Sequence, residues 1–134
     1  MMSNKSRLAV LYYLIVTIIS FNTSFFIKND IVNYVVVFYF LCVFGFYLFQ
    51  YLYSLISVSE TMKKELPDIY EKHKGVSRLG STRMVIPTVS FNKEVRKLAS
   101  NELQDKLNVM KLVLILLPTS FLSGGILAVL VVLW

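Results

Sequence analysis

Protein chemistry needs reactive side chains in groups, and this sequence supplies few. Its one histidine, His73, stands between Lys72 and Lys74, and its one cysteine, Cys42, sits inside a long apolar run. Neither a disulfide framework nor a cysteine-based metal site can be built within one chain, and no second histidine exists to complete a zinc site. Seven acids lie between Glu60 and Asp105, spread among lysines at helix-surface spacings. No G-x-x-x-x-G-K, no G-x-S-x-G and no nucleophile–base constellation occurs; "SRLGSTR" has the composition of a phosphate loop without its strand-turn-helix context. No catalytic, cofactor-binding or metal-binding residue is expected, and His73 reads as a solvated surface residue.

The spacings that carry meaning belong to hydroxyls and small residues within apolar runs. Thr17, Ser20 and Ser24 share one helical face, with Asn22 pointing elsewhere. In "PTSFLSGGILA", residues 118 to 128, Ser120, Ser123, Gly124 and Ala128 occupy one narrow face. The 120, 124, 128 spacing is the small-xxx-small pattern that lets two membrane helices approach closely. Pro118 removes the hydrogen bond to the Leu114 carbonyl and predicts a local kink, which a hydroxyl at Thr119 or Ser120 helps offset. Two chemistries fit these faces: packing between helices or protomers, or a polar lining for water or ions. The absence of any ionisable residue inside the apolar runs argues against a proton relay, a coupled transporter or a voltage sensor.

These faces must be positioned by membrane spans. The chain has 134 residues, 56% hydrophobic and 16% charged, against about 25% charged in soluble domains. Three stretches carry no Asp, Glu, Lys, Arg or His: 8–27, 31–58 and 112–134. As helices they reach about 30, 42 and 34 Å, enough for a hydrocarbon core of about 30 Å. The expected fold is an all-α membrane protein: a helical hairpin, a small cytoplasmic helical segment over 59–111, and a C-terminal span. The first run is too long for a signal peptide, and no small-residue cleavage site follows it. The hairpin turn is "KND", with Asp30 placed to cap the second helix. In that helix Phe40, Phe44, Tyr47 and Tyr51 recur at helical spacing and read as packing rings.

Charge sets orientation. Of the 14 Lys and Arg residues, 11 fall between Ser59 and Lys111, while Lys5 and Arg7 precede the first span. The N-terminus and the 59–111 segment are therefore expected in the cytoplasm, with Trp134 on the periplasmic or extracellular side. The net charge of +6 suits this topology and anionic lipid headgroups, and no nucleic-acid partner is expected.

Within 59–111, Pro67 should break and restart the helix, and "LPDIYEKHK" reads as a short helix with proline in its first turn. From Gly75 to Ser90 the pattern is that of a loop with an extended piece at "MVIP". Helical periodicity resumes at Asn92, where Val95, Ala99, Leu103, Leu107 and Met110 form an apolar face that needs a partner. "NELQ", 101 to 104, has the form of a capping box and puts a joint near Ser100. Arg78, Arg83, Lys93 and Lys97 are the candidate residues for a membrane surface or a partner protein.

The succession "LPDIYEKHKG", "FNKEVRKL" and "NELQDKLNVMKLVLILL" resembles the small bacterial membrane proteins typified by universal stress protein B, over residues 55 to 134. The extra N-terminal span departs from the two-span plan of that family. The resemblance implies a stress-associated protein of the bacterial inner membrane and carries over no catalytic residues. The expected role is that of a non-enzymatic homo-oligomer offering its cytoplasmic segment to a cytosolic protein partner, in a stress-response or phage-defence assembly. The alternative is a small pore or membrane-permeabilising effector.

Overall fold

Three helices long and apolar enough to cross a membrane dominate the computed structural model of this chain, which describes residues 4–26, 31–79 and 82–133. The "KND" turn, the proposed Asp30 cap, Ile27 and Trp134 lie outside the described residues. The order is α1 (Asn4–Phe26), α2 (Ile31–Tyr39), a π-helical turn (Phe40–Gly45), α3 (Phe46–Glu65), α4 (Pro67–His73), strands β1 (Lys74–Leu79) and β2 (Thr82–Val85), a 3-10 turn (Pro87–Phe91), α5 (Lys93–Leu98) and α6 (Asn101–Leu133). The chain divides into two compact units, one of residues Met1–Phe49 with Ile115–Trp134, the other Gln50–Leu114.

In the first unit, large apolar side chains such as Leu8, Ile18, Phe38, Leu41, Leu122 and Val132 face outward. Such a surface is unfavourable in water and suits lipid. The buried stripe of the second run is Tyr39, Val43 and Tyr47, all fully buried. It passes through the π-helical turn, so the run is not the uninterrupted α-helix that its aromatic spacing suggests. Tyr39, Val43 and Tyr47 recur at four-residue steps and so share one side of the run.

The second unit has its own core. From α3 come Leu55, Val58 and Met62, from α4 Tyr70, from the middle of the unit Val85, Val89 and Val95, and from α6 Leu103, Leu107 and Met110. The C-terminal end of the second apolar run belongs to this core: Leu55 and Val58 are buried against protein. The Val95 to Met110 face finds its partners in α3, α4, β2 and the 3-10 turn together, with Ala99 packed at the edge.

Leu66 leaves the helical region at φ −134° and ψ 62°, and Pro67 restarts α4 at a position where no amide hydrogen is required. The predicted loop over 75–90 is instead an antiparallel hairpin followed by the 3-10 turn. Its register pairs Lys74 with Val85, Arg78 with Arg83 and Leu79 with Thr82, with a bulge between Lys74 and Arg78. The hairpin is fastened through Ser59, whose buried hydroxyl donates to the Leu55 carbonyl at 2.6 Å and accepts the Val85 amide at 2.9 Å. The joint near Ser100 is present, but Ser100 itself is the cap: its Oγ accepts the Leu103 amide at 3.2 Å. Gln104 does not close a capping box; its Nε2 donates to the Arg96 and Ala99 carbonyls.

Truncating Leu107, which is fully buried, should lower the stability of the second unit by about 2–5 kcal/mol. Leu98→Ala, at a position 61% exposed, should change it by no more than about 0.5 kcal/mol. Hydrogen exchange of the 50–114 amides in detergent micelles checks both; equal effects would mean that this core does not hold the unit.

Candidate functional site

Two sets of residues stand out, one in each unit. In the first, α1 presents Tyr13 and Thr17 four residues apart, α2 presents Tyr39 and α6 presents Ser123. Thr17 Oγ1 and the Tyr39 hydroxyl are 3.1 Å apart, and the Tyr13 hydroxyl bonds Ser123 Oγ. Because Ser123 spends its own hydrogen on the Thr119 carbonyl, at 2.8 Å, Tyr13 is the donor in that pair. Two further tyrosines reach backbone carbonyls on neighbouring elements: Tyr12 donates to Cys42 at 2.8 Å and Tyr47 to Ala9. The Cys42 carbonyl belongs to the π-turn, where the helical ladder is interrupted and an outside donor finds an acceptor.

The remaining small and hydroxyl residues are distributed differently from their shared faces. Ser20 is buried, and its carbonyl accepts the hydroxyl of half-buried Ser24 at 2.9 Å. Ser120 is fully buried and donates to the Leu117 carbonyl at 2.7 Å, and Thr119 donates to Ile115 at 2.7 Å. Neither hydroxyl turns to the Leu114 carbonyl that Pro118 leaves without its donor, and α6 continues through the exposed Pro118. At Gly124 the groove is filled by a ring: a Cβ there would lie 2.7 Å from Phe40 Cζ. Phe40 in turn sits 6.0 Å from Phe121, edge-on, and Phe44 sits 5.7 Å from the same ring. Gly124 thus makes room for an aromatic side chain from the π-turn. Gly125 has open space beside it, and Ala128 is half-buried.

The hydroxyl bonds of this cluster join α1 to α2 and to α6. Among the described residues no group of three His, Cys, Asp or Glu could hold a metal ion.

In the second unit, Arg78 is exposed and faces half-buried Arg83 across the hairpin, and the Arg83 carbonyl accepts the Tyr70 hydroxyl at 2.6 Å. Like charges opposite one another in a ladder repel, and an anionic neighbour relieves that repulsion. Lys93 and Lys97 are exposed on α5, whose start is capped by Asn92 Oδ1, accepting from Glu94 and Val95. His73 is not a solvated bystander. It is half-buried, with Nδ1 3.0 Å from the Ile69 carbonyl and Nε2 3.3 Å from Asn92 Nδ2, an arrangement that makes Nδ1 the donor and Nε2 the acceptor. It thereby orients the amide that caps α5.

Arg96, which the sequence did not single out, bridges the 3-10 turn to α6. Its Nε donates to the Ser90 carbonyl at 2.7 Å and Nη1 to Asn108 Oδ1 at 2.8 Å. Lys106 donates to Glu102 and to Thr61, each at 2.7 Å, and its hydrogen bond and charge hold the Glu102 carboxyl below the usual range. Of the tyrosines in the first unit's cluster the sequence singled out only Tyr47, as a packing ring, and not Tyr12, Tyr13 or Tyr39. The four-residue step from Tyr13 to Thr17 was the available signal.

Gly124→Ala should force the Phe40 ring aside and cost about 1–3 kcal/mol. Adding Phe40→Leu should recover much of it, a coupling that a double-mutant cycle on detergent-solubilised protein measures; additive losses would separate the ring from the glycine.

Comparison of the chain with protein-family models, with curated proteins and with solved structures gives no match.

Proposed function

We propose that this chain is a non-enzymatic, homo-oligomeric protein of the bacterial inner membrane, presenting residues 59–111 to a cytosolic partner in a stress-response or phage-defence assembly. The observation that carries the reading is the second unit: a segment between two apolar helices with its own ten-residue core and an exposed basic surface at Arg78, Lys93 and Lys97. A segment that only linked two spans would need no such core. The resemblance of residues 55–134 to universal stress protein B-like proteins supports the stress association. Anionic headgroups of the cytoplasmic leaflet are the second ligand of the basic surface.

The competing reading is a pore lined by Thr17, Ser20, Ser120 and Ser123. Against it stands the engagement of Thr17, Ser120 and Ser123 within one chain. Valine at all four positions should leave partner recruitment intact wherever the protein still assembles. Reversing the charge at Arg78, Arg83, Lys93 and Lys97 should abolish co-purification of the partner. Reconstituted protein whose single-channel currents vanish in the valine variant, with assembly unchanged, would establish the pore instead.

The concentration of Lys and Arg between Ser59 and Lys111 supports a topology with the N-terminus and residues 59–111 inside and the C-terminus outside. In a Cys42→Ser background, a cysteine at position 29 should be labelled from outside and one at position 80 only after the inner face is opened. The reverse pattern inverts the protein.

A further inference from the structure

An apolar side chain at the surface of the second unit lies where the charge on α6 ends. Phe91, the last residue of the 3-10 turn, is 49% exposed. Its ring lies under the Lys111 ammonium, with Nζ 5.3 Å from the ring centroid. Lys111 is the last charged residue of α6, and from Leu112 to Leu133 the helix continues without a break and without a charge. The ring is therefore at the level at which α6 passes from charged to apolar surface, a level fixed by contact within the unit and by continuity of one helix.

The turn is also held firmly. Pro87 starts it, Val89 and Ser90 are buried beneath it, the Asn92 amide donates to the Val89 carbonyl at 3.0 Å, and Arg96 grips the Ser90 carbonyl. Phe91 is thus displayed by a fixed backbone. An aromatic ring beside a lysine at the foot of a span is the combination that membrane–water interfaces favour: the ring enters the upper acyl region while the ammonium stays among the phosphates. Lys93 adds a second exposed cation two residues on, and no acid occurs from Lys72 to Lys93. The charge selects anionic lipid.

We infer that the 3-10 turn Pro87–Phe91 is a lipid-binding element, seating Phe91 in the interface between the Lys111 and Lys93 ammonium groups and anionic phospholipid headgroups. This rests on Leu112 onward being a membrane span, and the experiment separates the two. Phe91→Trp in a Trp134→Phe background is placed in nanodiscs of phosphatidylcholine and phosphatidylglycerol, with and without bromine on the upper acyl chain. Position 91 should lose most of its emission to the brominated lipid, and Lys111→Gln with Lys93→Gln should weaken that loss in phosphatidylglycerol more than in pure phosphatidylcholine.

Leu122→Trp, at a position 66% exposed on α6, is the control for the span. If it escapes quenching, the span fails, and the lipid contact with it. If it is quenched while position 91 responds only to aqueous acrylamide, Phe91 faces water and the lipid contact is overturned. Insensitivity of position 91 to both agents would show it covered by protein, a second copy included, and overturns the contact equally. Should Phe91→Trp not fold, fluorophenylalanine at position 91 carries the same test, read as broadening by a headgroup nitroxide lipid.

Discussion

A hydroxyl between apolar helices has no water to bond, so it must find its partner in the protein or go without. That constraint organises the first unit. Tyr39 is fully buried, and Thr17 meets its hydroxyl; Tyr13 spends its hydrogen on Ser123. These bonds join α1 to α2 and to α6 at defined heights, which apolar contact alone would leave free to slide. Each contributes about 0.6 kcal/mol on average in membrane proteins and less than about 2 at most, so their effect is on register more than on total stability. Packed rings add to the attraction: Phe40, which fills the space at Gly124, meets Phe44 and Phe121, and Tyr12, Phe46, Tyr47 and Tyr13 form a second group.

The second unit solves a different problem with the same means. A two-stranded hairpin is marginal on its own, and one with arginines facing each other is weaker still. Here Ser59 accepts the Val85 amide and Tyr70 donates to the Arg83 carbonyl, so both anchors hold the second strand by its backbone. Val85 then completes a core whose other walls are helical. The side chains of Arg78, Lys93 and Lys97 are exposed.

The parts of this arrangement that were legible in the sequence are those imposed by a length or by a missing atom. An uncharged run of twenty residues has few alternatives to a long apolar helix, and Pro67 restarts a helix because it lacks an amide hydrogen. Ser100 was placed near a joint but not as the cap, since Asn101 offered an equally good capping side chain. The hairpin was hidden because "KGVSRL" has no apolar alternation; Val76 is almost wholly exposed. The Gly80–Ser81 pair between the strands was the available hairpin signal. The π-turn has no compositional mark, and the ring of Phe40 within it occupies the groove at Gly124.

The bond between Tyr13 and Ser123 joins residues 110 apart in the chain. During synthesis at about 5–20 residues per second, roughly 5–20 s separate the emergence of one partner from that of the other. Throughout that interval Tyr13 waits without its acceptor, and Phe40, once made, waits for Gly124, although the second unit has by then largely been made. The first unit, whose segments come from both ends of the chain, is consequently the last part of the protein to be completed.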